Sequence, residues 1–216
     1  MGNIQPKFNS THIYKSSEGA VSSSSPKHSV EFFLDYDCPF SAKLFKKLND
    51  EIIPLLKSKG ILGEFDLTII NVIQPWHHIN SGVMHEVALA VANEYPSQFW
   101  KFSTVLFENI QSFYDSETFD LSRKQITQKA IDLAVANLKD IDGSALWKWL
   151  VISKNADGSP SNAGNKLAKD VKYFTRYHRT IGVHVTPTVS VDGIPNGSIE
   201  SSSPAQDIVK ILSDIL

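Results

Sequence analysis

The chain of 216 residues contains a single cysteine, Cys38. No intramolecular disulfide can form, which excludes a stapled secreted scaffold and fits a reducing compartment. Long apolar runs are missing too. Val30 to Leu34 and Leu67 to Ile73 are the strongest, and both fall far short of the ~20 residues that cross a bilayer. Neither sign of charge is in excess: 21 Lys and Arg against 23 Asp and Glu leave a formal net charge of −2. Without a basic field to hold a phosphate backbone, neither nucleic acid nor a membrane is expected as a partner. No period of about 20 to 50 residues recurs, which excludes a solenoid or propeller. The residues from Met1 to Phe8 carry no apolar core of the secretory type, so the expected location is cytoplasmic. What remains, with 42% hydrophobic residues and 20% charged, is a globular chain able to bury a sizeable core.

The pattern changes character twice along the chain. Residues 1–27 read as a short strand near Thr11 to Tyr14 followed by a flexible loop, since the stretch from Ser16 to Pro26 is rich in serine and punctuated by Gly19 and Pro26. Val30 to Asp35 reads as a buried strand. Phe40, Leu44, Leu48, Ile52 and Leu56 then mark a helix that starts at Pro39 and stops at Gly60, and Leu67 to Ile73 form a second buried strand closed by Pro75. Strand, helix and strand with short connections favour a parallel unit.

From Val83 onward four helical stripes follow. They run through Val83, Val87, Val91 and Tyr95, through Phe99, Phe102, Leu106 and Ile110, through Ile126, Ala130, Leu133 and Leu138, and through Leu167, Val171, Phe174, His178 and Ile181. After Gly182 the pattern returns to β. Thr188 to Asp192 reads as a strand with a turn at Gly193, Gly197 to Glu200 as its partner, and Pro204 as the start of a last amphipathic helix carrying Ile208, Ile211, Leu212 and Ile215.

Three features bear on chemistry: Cys38-Pro39-Phe40-Ser41 between a strand and a helix, Val185-Thr186-Pro187-Thr188 ahead of a strand, and the helical block between them. A thiol at a helix start meets unpaired N–H groups and the positive end of the helix dipole, which favour thiolate. Ser41 can donate a hydrogen bond to it but cannot resolve a mixed disulfide, so an outside thiol is required. Against this stands the ordinary role of a lone cysteine as a small inert hydrophobe. His77 and His78 are adjacent and point apart, so solvent-facing or capping roles are expected of them and of His85, and no metal site is expected. His184, three residues before Pro187, reads as an ordinary loop histidine, with a place near Cys38, where its protonated imidazole would favour thiolate, as the alternative. Asp35 and Asp37 flank the cysteine turn, able to accept a proton yet opposing thiolate formation. Trp100, Phe102, Phe113, Trp147 and Trp149 sit at helical spacings and read as core.

Residues 31–41, Glu-Phe-Phe-Leu-Asp-Tyr-Asp-Cys-Pro-Phe-Ser, together with residues 182–193, Gly-Val-His-Val-Thr-Pro-Thr-Val-Ser-Val-Asp-Gly, resemble the DsbA-like branch of the thioredoxin superfamily. The resemblance runs from about Ser29 to the end. It implies an α/β architecture, a thioredoxin fold with a large all-helical insertion: residues 28–75 and 182–216 as the thioredoxin-like part and 76–181 as the inserted helical part. It implies Cys38 as nucleophile with Ser41 beside it, Pro39, Phe40 and Thr186 as substrate-binding residues, and Pro187 as a cis-proline. Ser41 stands where the family has its second cysteine. The implied activity is therefore monothiol thiol-disulfide exchange on a small thiol or a protein or peptide disulfide, with no permanently bound cofactor and glutathione as cosubstrate. Two other readings stay open. One is a glutathione transferase or isomerase of the kappa type, and the other a non-catalytic binding module on the same fold.

Overall fold

The computed structural model describes residues 4–15 and 27–216. Its centre is β1, His28–Leu34, whose aromatic and branched side chains suit a strand covered on both faces. β2, Phe65–Asn71, lies parallel to it with Val30 opposite Leu67 and Leu34 opposite Asn71. On its other edge β3, Thr188–Val191, runs antiparallel with Phe32 opposite Val189, and β4, Ile194–Pro195, closes the order β2-β1-β3-β4. Being internal, β1 buries Val30, Phe32 and Phe33 completely.

Two expectations about strands need correction. Thr11 to Tyr14 is not a strand: α1, Asn9–His12, is a single turn of helix, after which Ile13 makes one antiparallel bridge to Thr68. Ring packing decides this, because the helical turn puts His12 against Phe99 and Phe174, at 4.2 and 4.9 Å between centroids, and Phe8 against Phe174. Nor is Gly197 to Glu200 the partner of β3. Asp192 and Gly193 both have positive φ, 51° and 85°, so the chain reverses within two residues and Ile194–Pro195 pairs instead. The expected loop between Ser16 and Pro26 lies outside the described residues.

The helix after β1 follows the expected span with a defect in its middle. α2, Pro39–Lys47, passes through a π-helical turn, Leu48–Ile52, into α3, Ile53–Ser58, and Gly60 ends it at φ 72°. Pro54 has no N–H and its ring crowds the carbonyl one turn back, which a wider turn accommodates. Leu44, Leu48, Ile52 and Leu56 are buried along one side, whereas Phe40 is exposed.

Between β2 and β3 come α4, Ser81–Glu94, α5, Phe99–Glu108, the short α6, Asp115–Thr118, α7, Arg123–Asn137, α8, Gly143–Leu150, and α9, Ala168–Thr180. The four stripes fall on α4, α5, α7 and α9. α8 is too short to show a stripe of its own. Phe102 and Phe113 are core, while Trp100, Trp147 and Trp149 are partly buried against it. α4 is wrapped by its neighbours and buries residues all round, including His85. α9 returns to the sheet, where Tyr177 lies over Phe33 and its hydroxyl donates to Glu31 at 2.5 Å. α10, Ala205–Ser213, packs Ile208, Val209 and Leu212 inward; Ile211 is partly buried and Ile215 lies beyond the helix, exposed. Among the described residues no helix is long and apolar enough to cross a membrane.

Candidate active site

The end of β1, the start of α2 and the loop into β3 meet at the carboxyl edge of the parallel pair, where open α/β sheets place their sites. The chain leaves β1 through a turn closed by Cys38 N–H to the Asp35 carbonyl at 3.1 Å. Cys38 is the N-cap of α2 with extended backbone, φ −100° and ψ 118°, and Pro39 takes the first helical position, where its missing N–H costs nothing. The thiol makes no capping hydrogen bond to its own helix. It points across the gap instead and donates to the Thr186 carbonyl at 3.5 Å, next to the cis Thr186–Pro187 peptide. Cys38 is fully buried.

Ser41 differs from expectation. It is buried one turn along α2, but its oxygen accepts the Asp35 N–H at 3.2 Å, so it fastens the end of β1 to the helix and has no hydrogen bond to the cysteine. Phe40 is 59% exposed and projects into solvent. Thr186 is buried and Pro187 half-buried.

Asp35 and Gln74 organise these pieces. The Asp35 carboxylate accepts from Asp37 N–H at 3.1 Å, Gln74 N–H at 3.1 Å, the Ser81 hydroxyl at 2.6 Å and His85 Nε2 at 3.3 Å. With four donors it joins the cysteine turn, the end of β2 and the N-terminus of α4. The Gln74 side chain spans to the opposite wall: Nε2 donates to the His184 carbonyl at 2.8 Å, and Oε1 accepts the Thr186 hydroxyl at 2.9 Å. The backbone facing the thiol is thus set by a residue distant in sequence.

Behind Asp35 a line of polar groups runs through the interior. The Asn71 amide donates to His85 Nδ1 at 2.8 Å and its oxygen accepts from His12 Nε2 at 2.9 Å, while the Thr11 hydroxyl lies 2.7 Å from His12 Nδ1. All five groups are buried. Burial chiefly holds His12 at a pKa of about 3, against the Asn71 hydrogen bond that favours its charge, so this imidazole is neutral. His85, expected at the surface, is a fully buried partner of Asp35; the expectation failed because its apolar neighbours on α4 are covered on every side. His78 stacks on Tyr114 at 4.2 Å and pairs with Asp115 at 3.4 Å. His184 is exposed and contributes its carbonyl. Among the described residues no group of three or more His, Cys, Asp or Glu is arranged to hold a metal.

Asp37 is the anomaly. Both its oxygens are buried and have no hydrogen-bond partner among the described residues. Burial first, then the carboxylates of Asp35 and Asp115, push its pKa up to about 8. Burial first, then the charges of Asp37 and Cys38, raise the Tyr114 phenol above its ordinary range.

No protein-family model and no curated protein matches the chain. Solved structures do. BdbD from Bacillus subtilis, in its oxidised form, is similar at TM-score 0.62 and 22% identity, over 97% of this chain and 95% of that one. A Pseudomonas syringae protein provisionally described as a protein-disulfide isomerase gives 0.67 and 24%, over 87% and 94%. MdbA, a thiol-disulfide oxidoreductase from Actinomyces oris, gives 0.61 and 17%, over 95% and 88%. The chain has a DsbA-like thioredoxin fold. In this fold the helical insertion contributes more to the site than its place in the sequence suggests, because Ser81, His85 and Tyr114 all come from it. These residues, with Gln74, Asn71 and His12, had no sequence signal beyond polarity among apolar neighbours.

Proposed function

We propose that the chain is a monothiol thiol-disulfide exchange protein. The observation that carries this reading is the Cys38 thiol set 3.5 Å from the Thr186 carbonyl, at a helix start on one side and a cis-proline loop on the other. The Cys38 thiolate attacks one sulfur of a disulfide R–S–S–R′, forming Cys38–S–S–R and releasing R′–S⁻. A glutathione thiolate, or another external thiol, then attacks the R sulfur, giving the new disulfide and returning Cys38 as thiolate. Ser41 supplies no second sulfur, so each cycle consumes an outside thiol.

The backbone of Thr186 suits an extended peptide or the glutathione backbone. Phe40, exposed at 59%, Trp76 at 70% and Val185 at 66% flank the site residues in sequence and offer apolar contact to a peptide substrate. Full cover over Cys38 supports the second reading, a binding module that does not turn over. Steady-state reduction of a small mixed disulfide by glutathione separates the two. Exchange is expected to depend on Cys38 and to vanish in Cys38→Ser, with Ser41→Ala still active. Absence of turnover in the parent chain assigns the site to binding alone.

A further inference from the structure

The helical insertion carries a cleft of about 720 Å³ that shares no residue with the Cys38 site. It lies between the first two turns of α7 and the end of α8, with Trp147, Leu150, Val151 and Ile152 as its apolar wall. Val151 and Ile152, the two residues after α8, are 53% and 50% exposed, so a pair of branched side chains faces water beside the partly buried Trp147. A cleft of this volume falls in the range of small-molecule sites, about 300–1,000 Å³, which are mostly apolar with few polar groups.

The polar side chains that line it are already engaged, with two exceptions. Thr127 donates its hydroxyl to the Arg123 carbonyl at 2.8 Å, Trp147 Nε1 donates to Gln128 Oε1 at 2.7 Å, and Gln128 Nε2 donates to Asp132 at 2.7 Å. A peptide laid in the cleft finds no free side-chain partner along this wall for its amide groups, which are costly to bury unpaired. The exceptions are the two cations at the start of α7. Arg123 gives one guanidinium nitrogen to Glu86 at 2.6 Å and keeps its remaining N–H groups unengaged, and Lys124 has no hydrogen-bond or charged partner among the described residues. Among the described residues no acidic side chain lines the cleft. Both cations stand at the positive end of the helix dipole, where acidic side chains are the stabilising choice and α7 has none. Helix stability does not account for them.

We propose that this cleft binds a free medium-chain carboxylate of the fatty-acid type, its alkyl chain along Trp147, Leu150, Val151 and Ile152 and its head group on Lys124 and Arg123. An apolar body asks nothing of a wall whose polar atoms are paired, and a single anionic head matches a cation pair with no acid beside it. The inference is independent of the reading of Cys38.

The probe is decanoate, followed by isothermal titration calorimetry. One site per chain is expected, with a Kd of about 100 µM or tighter, and with decanol and decyltrimethylammonium at least about tenfold weaker. Lys124→Glu and Ile152→Asp are each expected to weaken decanoate about tenfold or more. Lys101→Glu, exposed on α5, makes the same change in net charge away from the cleft and is expected to leave binding within about twofold. All three positions are exposed, so unchanged urea midpoints are expected to show that the variants fold. No binding of decanoate, equal binding of the three amphiphiles, or parent-like binding by Lys124→Glu or Ile152→Asp overturns the inference. So does an equal loss in Lys101→Glu. Tighter binding of the acidic peptide acetyl-Leu-Leu-Asp-amide, or capture of the chain by phosphatidylglycerol vesicles, also overturns it and assigns the cleft to a protein or a membrane partner.

Discussion

Gln74 ties the end of β2 to the backbone that faces the thiol, and its replacement tests whether that tie sets the site. Gln74→Leu keeps the volume and removes both polar ends, while the backbone N–H of residue 74 can still donate to Asp35. The bonds lost are those to the His184 carbonyl at 2.8 Å and from the Thr186 hydroxyl at 2.9 Å. Each is worth about 0.5–1.5 kcal/mol net. Gln74 is 2% exposed and Thr186 is buried, so water does not replace the lost partner freely and the orphaned hydroxyl adds to the cost. Destabilisation of about 2–3 kcal/mol follows, measured as a shift in urea midpoint at unchanged slope. Thr186→Val deletes the same bond from the other side. The double variant is then expected to be more stable than additivity predicts by about 1 kcal/mol. The Cys38 exchange rate in Gln74→Leu is expected to fall, because the Thr186 carbonyl is no longer fixed. Stability within about 0.5 kcal/mol of the parent, or strictly additive effects, refutes the claim that Gln74 holds this loop.

Ser41→Cys places a second thiol one turn from Cys38, and a reversible intramolecular disulfide is expected, with a glutathione adduct at Cys38 expelled without added thiol; mass spectrometry of an adduct-loaded sample checks it. Acid weakens the fold through His12. Its pKa is about 3 when folded against an ordinary 6.5, so only the unfolded chain takes up the proton between these limits, and stability falls as pH drops through that window. At ~1.36 kcal/mol per unit, about 2–3 kcal/mol is lost from pH 6.5 to 4.5, and urea titrations of His12→Gln should show a flatter slope. Asp37 acts with the opposite sign. Its carboxyl is held at about 8 when folded against an ordinary 3.8, so the native state holds the extra proton and stability falls as pH rises between these values. Asp37→Asn is expected to remove that slope in the same titrations. Because Cys38 is fully covered, iodoacetamide should outpace a bulky maleimide by more than it does on a free thiol, and equal relative rates would show the cover to be absent.

The sheet and the long helices were legible because their patterns are long and regular. Val30 to Leu34 could only be an internal strand, and the spacing on α4, α5, α7 and α9 has one reading. α1 was not legible. Thr11 to Tyr14 alternates like a strand, and only ring contacts with Phe99 and Phe174, distant in sequence, turn it helical. The hairpin partner of β3 was misplaced because Asp192-Gly193 was given too long a turn. At the site, Cys38 and Pro187 were found from motif order. Gln74, Ser81 and His85 were not, since each acts through one or two hydrogen bonds to groups that only the tertiary fold supplies. Asp35 and Asp37 looked alike in sequence; one has four donors and the other none, a difference that arises only after packing.

Monothiol exchange requires that the folded Cys38 form a mixed disulfide that an outside thiol releases. Native protein incubated with glutathione disulfide and followed by intact mass is expected to gain one glutathionyl group at Cys38, to lose it when glutathione is added, and to gain none in Cys38→Ser. A folded chain that stays unmodified under conditions where the urea-unfolded chain is fully labelled contradicts it, and makes Cys38 a buried structural side chain.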